Sequence, residues 1–168
     1  MSDLFDAPRP REVQPGEYPV WDEALALVNR DLAALLPDRG PLRLLALPPW
    51  DPRDECGDEQ VYVALPDGRW HGNDLRQDSG TALAAALAAV AEAAQDTVME
   101  CLWQVWPVCA EHRVGMHVRS GEGEQGEDGH PVWWCAGGRG TDDPAHARAP
   151  VGGLDALHRP RRGRRERR

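Results

Sequence analysis

The feature that most constrains this chain is the stretch from Trp106 to His146. It opens as Trp106-Pro107-Val108-Cys109-Ala110-Glu111-His112, passes through Val132-Trp133-Trp134-Cys135, and reaches Pro144-Ala145-His146. Two residues separate Cys109 from His112, the spacing with which one tight turn presents two ligands to a single ion. A strand-loop-strand from Val114 to Trp134 would bring Cys135 back to the same end of a hairpin, and His146 would complete the set. Thiolate and imidazole donors suit zinc rather than magnesium or calcium, which take oxygen. Four protein ligands leave no open position, so the expected Zn2+ at Cys109, His112, Cys135 and His146 is structural. The second pair departs from a simple knuckle. Ten residues lie between Cys135 and His146, so His117, and more distantly His130, compete for the fourth position. The alternative without metal is that Cys109 and Cys135 pack as small buried hydrophobes.

The rest of the chain leaves little apolar material around that stretch. Of 168 residues, 41 % are hydrophobic, and 15 Pro and 17 Gly gather at the ends and around the cysteines. Metal ligation could therefore supply part of the folding energy of the region. The amino terminus, Met1-Ser2-Asp3-Leu4-Phe5-Asp6, lacks the basic start and apolar run of a secretory signal. The most apolar segment, 81–91, is short of the roughly 20 residues a membrane span needs. The expectation is a cytoplasmic protein with no membrane segment, in which cysteines read as metal ligands or thiols before disulfides.

Hydrophobic spacing predicts an α+β fold: two helices packed on a small antiparallel meander, then a zinc-ribbon-like β-hairpin. Trp21, Leu25, Val28, Leu32 and Leu35 lay one stripe along a helix that starts near Trp21 and ends before Pro37. Leu42–Leu47 and Gln60–Leu65 read as strands; after the turn signal Pro66-Asp67-Gly68, Arg69-Trp70-His71 reads as a third. A longer helix is expected over 80–104, with Ser79 as N-cap and Pro107 forbidding its continuation. Short strands are expected at Val114–Arg119, Pro131–Cys135 and Arg148–Val151. The organisation read from these signals is a flexible arm over 1–18, an α+β domain over 19–105, a zinc-ribbon-like module over 106–154 and a disordered Arg-rich tail over 155–168.

Trp106-Pro107-x-Cys109-x-x-His112, followed by Trp134-Cys135, a later His146 and Val151-Gly152-x-Leu154, resembles a group of small uncharacterised actinobacterial proteins. The resemblance covers roughly residues 80–154 and implies an acidic α/β N-terminal half with a C-terminal zinc-ribbon-like segment. It implies no activity. In that group a Pro commonly follows the first Cys and the last His sits nearer the second Cys; Ala110 and the stretch 139–143 depart from this.

Charge divides the molecule. The tail Arg159-Pro160-Arg161-Arg162-Gly163-Arg164-Arg165-Glu166-Arg167-Arg168 holds seven Arg against one Glu. A net charge of −9 for the whole chain thus becomes −15 for residues 1–158. Arg159, Arg161, Arg162, Arg164, Arg165, Arg167 and Arg168 could contact nucleic-acid phosphates, or fold back on the acidic body, or remain solvated.

Phosphate loops, His-Glu-x-x-His, Gly-x-Ser-x-Gly and deaminase signatures are absent from the sequence. A zinc hydrolase would need an open metal position with Glu111 as base. The expected role is non-enzymatic: a protein-interaction or adaptor protein with a structural zinc, the nucleic-acid binder and the zinc hydrolase being the alternatives. Cys101 is expected in the core, and Cys56, set among acids that disfavour its thiolate, is not expected to be a nucleophile. The acidic run 51–59 does not have calcium-loop spacing and reads as a solvated loop. Trp103, Trp106, Trp133 and Trp134 are expected to pack over the metal site.

Overall fold

The computed structural model describes residues 9–49, 57–120, 129–138, 140 and 144–155. Cys56, most of the acidic run 51–59, the stretch 139–143 apart from Gly140, and the Arg-rich tail from Arg159 lie outside the described residues.

The chain is α+β, with two helices and two three-stranded antiparallel sheets. Helix α1 (Pro19–Leu35) begins on a proline, whose fixed φ suits the first helical turn. Its buried stripe is Trp21, Ala24, Leu25, Val28 and Leu32, as the spacing predicts. Helix α2 (Leu83–Leu102) buries Ala86, Leu87, Val90, Ala91, Ala94 and Val98, and its small residues let α1 lie close against it. Ser79 is not its N-cap. Ser79 sits in a 3-10 turn, Gln77–Thr81, where its hydroxyl donates to the Arg76 carbonyl at 2.6 Å and accepts from Trp21 Nε1 at 3.2 Å. Nor does Pro107 end α2; the left-handed Trp103 (φ 51°) stops it four residues earlier.

The first sheet runs β1 (Arg11–Glu12), β2 (Arg43–Leu47), β3 (Gln60–Ala64), with Leu45 opposite Tyr62 and Glu12 opposite Leu45. Its third strand therefore comes from the segment before α1, and Arg69-Trp70-His71 is not a strand. The turn at Pro66-Asp67-Gly68 does form, with Gly68 at φ 88° and Leu65 N donating to Arg69 O at 2.8 Å. Beyond it the backbone groups of His71 are met by Thr97 of α2. The Thr97 hydroxyl donates at 2.8 Å to Val63 O and lies 3.2 Å from both His71 N and His71 O. Thr97 also closes β3's outer edge together with Leu75, whose N–H donates to Val61 O at 2.7 Å. The described part of the expected arm is held by Arg11, whose guanidinium forks between Glu59 and Glu17.

The second sheet is β4 (His117–Arg119), β5 (Val132–Cys135) and β6 (His146–Pro150), in that order. It shares one hydrophobic cluster with the helices and the first sheet, including Trp106, Met116, Trp133, Val151 and Leu154. Trp106 and Trp133 meet edge to face, 5.4 Å between ring centroids. A single carboxylate ties this region to α1. Asp31, fully buried, accepts from Trp133 Nε1 (2.6 Å), Gly152 N (2.6 Å) and Leu154 N (2.8 Å). Burial pushes its carboxyl above the ordinary Asp range, against the downward pull of those three donors.

Candidate metal centre

The first half of the centre is a tight turn at the mouth of a narrow ribbon. Val108 and Gly115 form an isolated bridge, with Met116 N donating to Pro107 O and Cys109 N to Val114 O, each at 2.9 Å. Inside it, Arg113 N reaches back to Cys109 O at 2.8 Å, and Arg113 takes a left-handed φ of 58°. That single closed turn puts Cys109 and His112 on one side. A Cβ at Gly115 would lie 2.9 Å from Val105 Cγ1, so a side chain here would have to displace that exposed valine.

The second half solves the ten-residue gap in a way that spacing alone does not suggest. Cys135, the last residue of β5, is the direct antiparallel partner of His146, the first residue of β6. The two ligands are therefore neighbours across strands rather than along a knuckle. A register irregularity between Trp133 and Trp134 adjusts the β5 end that presents Cys135.

These elements bring Cys Sγ and His nitrogen atoms of Cys109, His112, Cys135 and His146 within 4.8 Å of one another, a group that could hold a metal ion. Cys109 Sγ is 3.9 Å from both His112 Nδ1 and His146 Nε2, and His112 Nδ1 is 3.2 Å from Cys135 Sγ. A tetrahedral zinc with bonds of about 2.3 Å to sulfur and 2.0–2.1 Å to nitrogen sets S···N separations near 3.6 Å. The observed spacings straddle that value. The thiols are fully buried against the core and the imidazoles form the half-exposed side.

The surroundings orient these groups. His146 Nδ1 lies 3.3 Å from Pro144 O; donating a proton there leaves the Nε2 lone pair facing Cys109, the second contact that ligating imidazoles usually have. Gly137 N donates to Cys135 Sγ at 3.4 Å. Burial, reinforced by the neighbouring Cys109, pushes the Cys135 thiol upward, and the Gly137 N–H only partly opposes this. A divalent cation reverses such a shift, since a coordinating thiol loses its proton. Glu111 Oε2 is 4.0 Å from His146 Nε2 and is held at 3.2 Å by Arg148 Nη1.

The rival histidines stand apart from the group. His117 is an exposed β4 residue opposite Trp134, and His130 Nε2 contacts Val151 O at 3.1 Å. Of the four tryptophans expected over the site, Trp106 and Trp133 pack in the core behind it. Trp134 lies half-buried under the Arg119 guanidinium, 4.3 Å from its ring centroid, and Trp103 is 89 % exposed. Cys101 is half-buried at the core's edge. Arg148, Pro144 and Gly137 carry no sequence signal for a role here; β6 pairing alone places them. No described helix is long and apolar enough to cross a membrane. No family model matches this chain, and no curated protein or solved structure is significantly similar to it.

Proposed function

We propose that this is a non-enzymatic zinc-binding protein in which a Cys2His2 zinc at Cys109, His112, Cys135 and His146 is structural. The observation that carries the reading is the convergence of four donor atoms from two separate hairpins within 4.8 Å. A structural ion there fastens the turn at 109–113 to the β5–β6 end. Its charge also compensates two buried thiolates, the form that burial alone disfavours. Two sulfur and two nitrogen donors in near-tetrahedral spacing favour zinc over oxygen-seeking cations. With all four positions filled by protein, no site remains for an activated water, and Glu111 is engaged by Arg148. This disfavours the hydrolase alternative. The reading extends to a cytoplasmic protein acting through protein partners, akin to the actinobacterial group that its short motif resembles.

Zinc is to be measured by mass spectrometry on full-length protein purified without a metal-affinity tag, beside Cys109→Ser and Cys135→Ser. One zinc per chain, lost in both variants together with cooperative melting, is expected. A metal-free wild type that melts like the variants refutes the reading. The cobalt-substituted protein provides a second check: a tetrahedral visible spectrum unchanged by Glu111→Ala fits a closed site, and a five-coordinate spectrum refutes it.

A further inference from the structure

We propose that residues 159–168, the Arg-rich tail, dock in a cleft between residues 73–79 and the outer face of α2. The cleft has a volume of about 590 Å3. Asp74, Asp78, Glu92 and Asp96 line it over a floor that includes Ala89 and Ala93. Among the described residues its only cation is Arg76, which pairs with Asp78 at 3.4 Å. Among the described residues, Asp74, Glu92 and Asp96 have no cationic partner.

The occupant follows from charge and reach. Residues 159–168 carry +6, and the body they are joined to carries −15. A body of that sign attracts its own tail and repels a polyanion, which favours the cleft over nucleic-acid phosphates. Arginine fits such a lining, since its planar fork matches carboxylates while its stem packs on small apolar side chains. The last described residue is Asp155, and Leu154 is fixed to Asp31 of α1, the helix packed on α2. From there the thirteen residues to Arg168 span at most about 43 Å extended. A chain this size has a radius of gyration of roughly 15 Å, so the distal arginines of the tail have the reach to enter the cleft, while Arg159, four residues past Asp155, stays near the tether. Tethering supplies an effective concentration in the millimolar range, enough to populate a contact built of individually weak exposed ion pairs.

The test compares amide NMR spectra of the full-length protein with a same-length variant carrying Arg→Gln at 159, 161, 162, 164, 165, 167 and 168. Docking predicts that amides at 73–79 and along 85–96 differ between the two at low salt. It also predicts that the wild-type spectrum moves onto the variant's in about 1 M NaCl, where the Debye length is about 3 Å. A second full-length variant, Glu92→Gln with Asp96→Asn, should lose the same tail-dependent shifts while keeping its melting temperature. Concentration-independent shifts mark docking within one chain. Identical cleft amides in wild type and Arg→Gln variant overturn the proposal, as do tail-dependent shifts that map elsewhere. Stoichiometric binding of a short DNA duplex near physiological salt that leaves the cleft amides of the wild type unmoved also overturns it.

Discussion

Asp31 offers the sharpest perturbation, because one side chain serves three donors from the distal part of the chain. Replacing it by alanine leaves Trp133 Nε1, Gly152 N and Leu154 N without their acceptor in a region closed to water. Each stranded buried donor costs about 1–3 kcal/mol, so the three together amount to roughly 3–9 kcal/mol. Releasing a buried carboxylate returns several kcal/mol of desolvation, and the net expectation is a loss of about 3 kcal/mol. Asp31→Asn keeps the shape and one acceptor oxygen, which can serve the Trp133 and Gly152 pair. Its amide then opposes Leu154 N, for a loss of about 1–2 kcal/mol. The assay is urea unfolding in saturating zinc, followed by tryptophan fluorescence. A loss below about 1 kcal/mol for Asp31→Ala, or an Asn variant as damaged as the Ala variant, refutes the assignment of Asp31 as the clamp between α1 and the second sheet.

The same residue sets a pH dependence. Its folded carboxyl is raised, so the native state holds the proton over a range where the unfolded chain has lost it. Stability relative to Asp31→Asn should therefore fall as pH rises from the ordinary Asp range to the folded value, and be flat below; a rise across that window contradicts the burial argument. Chelation should remove the cooperative melt of wild type and leave the melting profile of Cys135→Ser unchanged, a zinc level 1,000 times the dissociation constant adding about 4 kcal/mol to the native state. Gly152→Ala should destabilise by at least about 1 kcal/mol, because its φ is +89° and a new Cβ would lie 2.9 Å from Leu27 Cβ. Trp103→Gly should stabilise by roughly 0.5–1 kcal/mol, since an indole 89 % exposed holds a left-handed φ of 51° with little packing to offset it; a loss in urea melts would mean the ring is packed.

What the sequence determined by itself was local and periodic. The stripe from Trp21 to Leu32 and the alternation of Val61 and Val63 have a burial rhythm that only one kind of element can satisfy, and both elements form where that rhythm lies. Cys109 and His112 were legible because a two-residue spacing closes within one turn. The rest depended on partners far along the chain. Arg11–Glu12 is too short to announce a strand and becomes one because β2 has a free edge and Glu59 and Glu17 hold the arginine. Arg69–His71 has strand character, but Thr97 of α2 offers its backbone a closer partner than β3 does. The sequence favours His146 over His117 and His130 without giving the reason it lies beside Cys135; that comes from β6 pairing Cys135 with it, since cross-strand adjacency depends on register and not on separation along the chain. Asp31 reads in the sequence as one more acid on a helix. It is a buried clamp because residues 102 to 123 positions later fold back to donate to it, and hydrogen bonds of that range exist only in the assembled core.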